Sequence, residues 1–401
     1  MTTPPTTSYQ APGVYLQDVF PPPPPSLLTG VPAFLGYADP APLGDPPRQP
    51  PRQPVPLTLW PQFEAAFVTP QANGYLADAV AGFFRNGGLL CYVFPLDNSV
   101  TPLAGLQAGL AALQGIDAID LVCAPDIMSP LGLTDPPDSD AGIEAVTALQ
   151  AAILADCEGA GGRFAILDGV LTGDNTRVET QRATLTSQDG ALYHPWLWVE
   201  GRAGSPSHVP PCGHVAGIFA RSDQQSGVHK APANEPVDGV LDLRVYVTDD
   251  DLGRLYTEGV NCLRVVPGRG IRVWGARTLS KDPEWLPIGA RRVFLTMSRW
   301  LQQFLAPLAY EPNDVRLWVR IMRELTAYLD DEFQRGALKG RTPEEAFFVK
   351  CDSETNPPEV TEAGMVVTNV GVALAAPAEF VIVRIIHGAS GVSIQPSPAT
   401  A

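Results

Sequence analysis

Apolar and polar positions follow two successive regimes along the chain. In the first, short apolar runs alternate with stretches at helical spacing. Residues 31–37, 89–94, 119–124 and 164–168 are continuous apolar runs and read as buried strands. Between them, residues 59–67, 75–84, 103–113 and 143–158 carry apolar positions at helical intervals. In the clearest case, Tyr75, Ala79 and Phe83 form one i, i+4 row, with Leu76, Val80 and Phe84 beside it, and Gly87 and Gly88 follow as a stop. This alternation predicts an α/β domain built on a mostly parallel sheet. Further on, the aromatic-rich residues 194–199 read as a strand, 200–214 as a loop, and 215–220 as the opening of a helix or strand. Asp249, Asp250 and Asp251 read as a capped helix start, their carboxylates near the positive end of the dipole.

The second regime starts near residue 261. Residues 262–266 and 271–274 alternate, with Pro267, Gly268, Arg269 and Gly270 between them, which predicts strand, tight turn, strand. Two long helices follow, over 287–308 and from about 313 to 335, with Gly336 as the stop of the second. On that second helix Val315, Trp318, Ile321, Met322, Leu325, Leu329 and Phe333 are assigned to one side, and Arg316, Arg320 and Arg323 to the other. Strand-like runs at 346–351, 365–374 and 379–387 close the chain. The last two form either a hairpin around 375–377 or separate partners. Two long helices on a small sheet make an α+β unit.

Ahead of residue 31 the pattern is different. Residues 1–10 are polar and read as a mobile tail. Residues 14–19 form a short extended segment, cut off by the run Pro21 to Pro25, which has no backbone N–H to donate. A strand isolated by a stiff spacer cannot bury itself locally. It is either a frayed tail or a strand that adds to another sheet's edge. Residues 39–56, with PPRQP written twice, read as a proline-rich surface loop, with a ligand for a proline-binding module as the other reading.

Composition narrows the function classes. The chain has 401 residues, enough for one large core or two. A net charge of −16 disfavours nonspecific nucleic-acid binding and docking on anionic lipid. The first residues, MTTPPTTSYQAPG, lack the basic and apolar regions of a signal peptide. No apolar run approaches the roughly 18–20 residues of a membrane span. Six scattered cysteines, several in apolar runs, favour a reduced, cytosolic setting.

Candidate chemistry is sparse. His208, Cys212 and His214 have the spacing H-x3-C-x-H, without a nearby fourth ligand. The three consecutive aspartates at 249–251 do not converge on one ion as an alternating pattern would. There is no GxGxxG after a strand, no GxxxxGK[ST] and no GxSxG, and His387-Gly388-Ala389-Ser390-Gly391 lacks a strand-to-helix elbow. No catalytic residue, cofactor or metal is expected. The row Arg316, Arg320 and Arg323 is either a solvated face, with contacts such as Arg320 to Glu324, or a surface that meets an acidic partner.

Residues 259–285, GVNCLRVVPGRGIRVWGARTLSKDPEW, resemble the signature of contractile tail sheath proteins, the sheath subunits of myophages and related injection systems. Residues 11–16, 209–217, 227–234 and 291–295 resemble further family segments in the same order. In that central block Cys212 stands where a small residue is expected, which explains the segment without a metal. The resemblance implies a structural subunit, not an enzyme, that polymerises helically around an inner tube from a baseplate and contracts. Its partners would be copies of itself, the inner tube, baseplate and cap proteins. It implies an N-terminal arm over 1–30, an outer α/β domain over 31–260, and an inner α+β domain over 261–401 whose sheet is completed by exchanged terminal strands. Val14, Tyr15, Leu16 and Val19, with Phe380, Ile382 and Ile385, would carry that exchange. Arg316, Arg320 and Arg323 would face the tube or the next subunit. The short chain, without evident inserted domains, leans towards an injection system. The alternatives are an α/β enzyme with an unrecognised site, suggested by the alternating middle, and a tail-terminator or baseplate relative.

Overall fold

The computed structural model describes residues 27–41, 52–68, 74–131, 133–201, 206–308, 310–374, 380–388 and 391–397, the last two by backbone course and pairing. The alternating part runs β1 (Pro32–Tyr37), β2 (Asp39–Pro40), β3 (Val55–Leu57), α1 (Trp60–Ala66), β4 (Phe67–Val68), α2 (Leu76–Arg85), β5 (Cys91–Leu96), α3 (Pro102–Ala112), β6 (Leu121–Cys123), α4 (Asp140–Ala160), β7 (Phe164–Asp168), α5 (Asn175–Ala183) and β8 (Gly190–His194). It continues through β9 (Leu197–Glu200), β10 (Pro206–Val209), α6 (Cys212–Ser226), β11 (Val240–Leu243), α7 (Asp249–Thr257), β12 (Val260–Val266) and β13 (Gly270–Trp274). The C-terminal part holds α8 (Ile288–Leu305), α9 (Val315–Gln334), β14 (Phe347–Lys350), β15 (Val366–Ala373), β16 (Phe380–Gly388) and β17 (Gly391–Ser397).

An eight-stranded mixed sheet in the order β13-β12-β8-β7-β6-β1-β5-β3 dominates. Its six inner strands run parallel, and β3 and β13 flank them antiparallel. Inner strands buried on both faces need apolar side chains at every position, which is why they read as unbroken apolar runs. One face packs on α2 and α6 through Val80, Phe83, Val215 and Phe219. The other packs on α3 and α4 through Leu106, Leu110, Val146 and Ile153. A third core lies between α8, α9 and the sheet β14-β15-β16-β17, around Phe294, Leu301, Ile321, Leu325 and Val370.

Four expectations change. The proline-rich segment 39–56 contains β3, and Pro56 stands in it as an edge strand permits. The expected strand over 194–199 is split: β8 ends at His194, and β9 joins a separate three-stranded sheet after Pro195, which has no N–H for a ladder. The hairpin β12–β13 does not head the C-terminal unit. It extends the large sheet, because β12 pairs parallel with β8 and its side chains enter both cores, Cys262 on one face and Leu263 on the other. A boundary at residue 260/261 therefore cuts through a strand of the large sheet. Finally, a fourth C-terminal strand, β17, follows β16, where the sequence reading closed the chain with three strand-like runs.

Candidate functional site

Helix α8 is where the two parts of the molecule join. Ile288 and Leu295 enter the core of the large sheet, while Val293, Phe294, Met297 and Leu301 enter the C-terminal core. A helix apolar on two faces has little surface left for charge, yet α8 carries Arg291, Arg292 and Arg299, all buried. Each bonds to groups outside the C-terminal part, although Nη1 of Arg291 and of Arg299 has no hydrogen-bond partner among the described residues. Arg291 donates Nε and Nη2 to Asp189 at 2.6 and 3.0 Å, and its guanidinium lies 5.0 Å from the Trp285 ring centroid. Arg292 donates to both oxygens of Asp223, at 2.8 and 2.7 Å, and to Asp120 Oδ2 at 3.0 Å. Arg299 Nη2 donates to the carbonyls of Leu28, Asp117 and Ala118. Asp120 also accepts the N–H groups of Gly30 and Val31, at 2.9 and 2.6 Å. The segment leading into β1 and helix α8 therefore share one carboxylate. Burial pushes the Asp189 and Asp223 carboxyls up, and the guanidinium bonded to each opposes this. The paired carboxylates in turn hold Arg292 charged.

Other buried titratable groups cap helices. Neither α2 nor α6 has a side-chain cap of its own. Asp126 accepts the N–H groups of Tyr37, Tyr75 and Leu76, and Asp168 accepts that of Cys212 at 2.7 Å. Both carboxylates sit at helix N-termini, where orphan donors and the dipole favour an acceptor. Burial nevertheless pushes each carboxyl up to about 7. Burial also lowers His194 and His214 to about 4, leaving both imidazoles neutral near pH 7. The three residues at H-x3-C-x-H spacing take different roles. His208 lies against the Trp198 ring, 4.2 Å between centroids. Cys212 starts α6 and is buried, and the His214 ring fills the space beside Gly82. Among the described residues, no group of three or more His, Cys, Asp or Glu is placed to hold a metal. No helix among them is long and apolar enough to cross a membrane.

Two surfaces carry the residues that the sequence singles out for assembly. On α9, Arg316, Arg320 and Arg323 are exposed. Arg320 lies 3.8 Å from Glu311 and Arg323 bonds Glu324 at 2.6 Å, so Glu324 serves Arg323. Val315 and Val319 share this face, 63% and 53% exposed, so Val315 does not belong to the apolar side. Tyr310, wholly exposed at φ 77°, stands in the turn before α9. The exposed apolar residues were not evident, because helical spacing places Val315 and Val319 at the margin of the buried stripe. Of the proposed exchange residues, Val14, Tyr15, Leu16 and Val19 lie outside the described residues. Phe380, Ile382 and Ile385 lie on β16, which pairs with β15 on one edge (Phe380↔Ala373, Ile385↔Thr368) and with β17 on the other (Ile382↔Ser397). Within one chain β16 is thus interior, not a free terminal arm. A short connection closes it on β15, the hairpin alternative of the sequence. The edges of this sheet are β14 and β17.

Among the described residues the buried carboxylates of the large sheet serve caps and ion pairs, α8 fastens two cores, and α9 exposes a basic face. The family follows from the comparisons. Residues 137–279 match the phage tail sheath protein central domain, and residues 280–386 the phage tail sheath C-terminal domain. The chain belongs to the phage tail sheath protein family, as a contractile sheath subunit of a phage tail or an extracellular contractile injection system. The two matches meet at 279/280, just ahead of α8. The fold is similar to that in the helical sheath of the anti-feeding prophage in its contracted state, with TM-score 0.70 and 29% identity over 93% of this chain and 98% of that one. It is also similar to the sheath complex of the extracellular contractile injection system PVC, in its contracted state, with TM-score 0.69 and 25% identity over 94% and 97%. A protein assigned as a prophage major tail sheath protein, from Pseudomonas aeruginosa (strain UCBPP-PA14), is 25% identical over 224 residues, 54% of this chain. The match spans 55% of that relative's length.

Proposed function

We propose that copies of this chain assemble as a helix around a rigid inner tube, starting from a baseplate, and that the lattice contracts to drive the tube through a target envelope. The observation that carries the reading is the likeness over nearly the whole chain to a helical sheath in its contracted state. Residues up to about 279 form the outer part of the subunit, and α8 to β17 the inner, tube-facing part. Assembly takes place in the cytoplasm of the producing cell. Contraction draws on subunit contacts stored in a metastable extended lattice, and no nucleotide is hydrolysed.

Exchanged strands tie the lattice together. The segment around Val14, Tyr15, Leu16 and Val19 adds to a neighbour's C-terminal sheet, and the ladder carrying Phe380, Ile382 and Ile385 receives or lends its outer strand, β17. Its position at the edge of the sheet supports this, since an edge ladder can be completed by another copy. The basic face of Arg316, Arg320 and Arg323, with Val315 and Val319 beside it, meets an acidic surface of the tube or of the next subunit. The absence of large insertions favours an injection system.

Negative-stain microscopy of the purified chain tests the proposal: hollow tubes are expected, and discrete particles under all assembly conditions would refute it. Removing residues 1–20 abolishes tubes while leaving the unfolding midpoint unchanged. Neutralising all three arginines to Gln lowers assembly on a tube, and undiminished assembly would exclude that face.

A further inference from the structure

A cleft of about 240 Å³ opens where the N-terminal edge of the large sheet meets the second half of α8. Asp117 and Ile119 line it from ahead of β6, Gly162 and Arg163 from ahead of β7, and Gln302 and Gln303 from α8. Its cations are already engaged. Arg163 bonds Asp156 and the Leu113 carbonyl. Arg299, which also lines the cleft, gives Nη2 to three carbonyls and stands 3.9 Å from Asp120 through Nη1. The donors left over are neutral. The side-chain amides of Gln302 and Gln303 are exposed and have no partner among the described residues. The remaining lining is small or apolar, Ala160, Gly162 and Ala306 with the buried Ile119. Such a cleft suits an uncharged ligand that brings hydrogen-bond acceptors and a flat apolar surface.

The chain enters the large domain at the rim of this cleft. The carbonyl of Leu28 accepts from the same Arg299 Nη2 that bonds the carbonyls of Asp117 and Ala118, at 3.2, 2.7 and 3.2 Å. One guanidinium therefore holds both the cleft wall and the main chain that leads into β1. Ahead of that point the sequence holds Pro21 to Pro25. A proline run offers carbonyls and no N–H groups, presents flat rings, and is ordered before it docks. Its unpaired carbonyls match the free glutamine amides. The distances agree. β1, β6 and β7 are neighbours in the sheet, so the cleft lies one to two strand spacings from the chain at Leu28, roughly 5–10 Å at ~4.8 Å each. At ~3.1 Å per residue, Pro25 lies about 9 Å from Leu28 and Pro21 about 22 Å, so the near end of the run reaches the cleft and the rest extends past it. The other proline-rich segment, residues 42–51, belongs to the opposite edge, where Arg52 bonds the carbonyls of Ala38 and Leu96 at the C-terminal ends of β1 and β5. Ten residues going out and returning cover at most roughly 17 Å, short of the far edge even along β1.

We infer that the cleft between the edge of the large sheet and α8 binds the polyproline run Pro21–Pro25 of its own chain. Seated there, the run touches both parts of the molecule and acts as a stiff guide that fixes where residues 14–19 leave the body. The inference concerns a single chain and stands apart from whether that chain polymerises.

Disulfide cross-linking of the full chain tests it. All six native cysteines are buried, so introduced surface thiols report on their own. Pro24→Cys is combined either with Ala306→Cys, in the cleft, or with Leu89→Cys, 63% exposed ahead of β5 on the other side of β1. A tail free in solvent reaches both positions. A seated run should join to position 306 about five-fold faster than to 89 under diamide, read as an internally linked monomer on a non-reducing gel. Equal rates would overturn the inference. Replacing the other four prolines with Ser should remove the preference for 306, and a preference that survives would show that the prolines do not carry it. Linked dimers that disappear on dilution, without linked monomer, would assign the run to another copy and overturn the own-chain assignment. A second change, Gln302→Ala with Gln303→Ala, guards against misfolding of the serine variant. It should slow linking to 306 in the proline background and leave the serine background unchanged, and an equal effect in both would count against docking.

Discussion

Replacing Arg292 with Met tests the joint at α8 most directly. Met keeps the buried stem and removes the guanidinium. Asp223, its side chain 1% exposed, loses both guanidinium bonds, whereas Asp120 loses one and keeps the N–H groups of Gly30 and Val31. The cost should therefore fall mainly on Asp223. Removing one partner of a buried ion pair costs about 3–5 kcal/mol, because an uncompensated charge is left behind. Adding Asp223→Leu removes that charge, so the double variant should be less destabilised than Arg292→Met alone. In the single variant burial still holds the Asp223 carboxyl above its unfolded value, now without the opposing guanidinium. A raised folded pKa favours the protonated fold, so the deficit should shrink as pH falls from 7.5 to 5.5 and grow as pH rises. Urea denaturation of unassembled protein at several pH values measures both effects. A loss below about 1 kcal/mol, or a deficit independent of pH, would show that the pair does not fasten the two parts.

Three further outcomes are expected. Asp126, with its carboxyl pushed up to about 7 in the fold against 3.8, makes stability decline as pH rises between those values; Asp126→Asn should flatten that decline in chemical denaturation curves, and an unchanged slope would contradict it. Gly213→Ala places a Cβ 2.2 Å from the Ala79 carbonyl oxygen, where α6 crosses α2, so a loss of about 1–3 kcal/mol should appear in the urea midpoint. Asn261 donates Nδ2 to the carbonyls of Leu192 and Arg277 and accepts the Arg277 N–H; Asn261→Ala should cost about 1–3 kcal/mol by leaving these buried groups unpaired, and thermal melting with no shift would refute this.

Much of the fold was legible because burial on both faces leaves an unmistakable apolar run. Residues 164–168 were read with the same bounds as β7, and the helices around α2, α4, α8 and α9 followed from spacing and stop residues. Gly336, at φ 82°, is such a stop. The partner of a strand is less legible. The alternation in 261–274 gives two strands and a turn, but nothing local says that β12 pairs with β8, about seventy residues away, rather than with the sheet that follows. The short strands β10 and β11 were obscured because each is only four residues long, and β10 lies inside the stretch 200–214 that reads as a loop. The joint at α8 had a signal that went unused. Arg291, Arg292 and Arg299 are the charged positions of a helix that is otherwise mostly apolar, and Asp120 interrupts the apolar run IDLVCA. Charges inside such runs call for partners of opposite sign, but which Asp meets which Arg depends on contacts between residues 69 to 172 positions apart.

The shared carboxylate of Asp120 has a mechanical consequence. A pull on the chain ahead of Leu27 would not first peel β1 from the sheet, one ladder bond at a time. It would meet Gly30 and Val31 clipped to Asp120, and through Arg292 the tension would pass into α8 and the C-terminal core in parallel with the large sheet. Bonds loaded side by side must fail together, so this attachment resists shear at a point where a bare strand end would unzip.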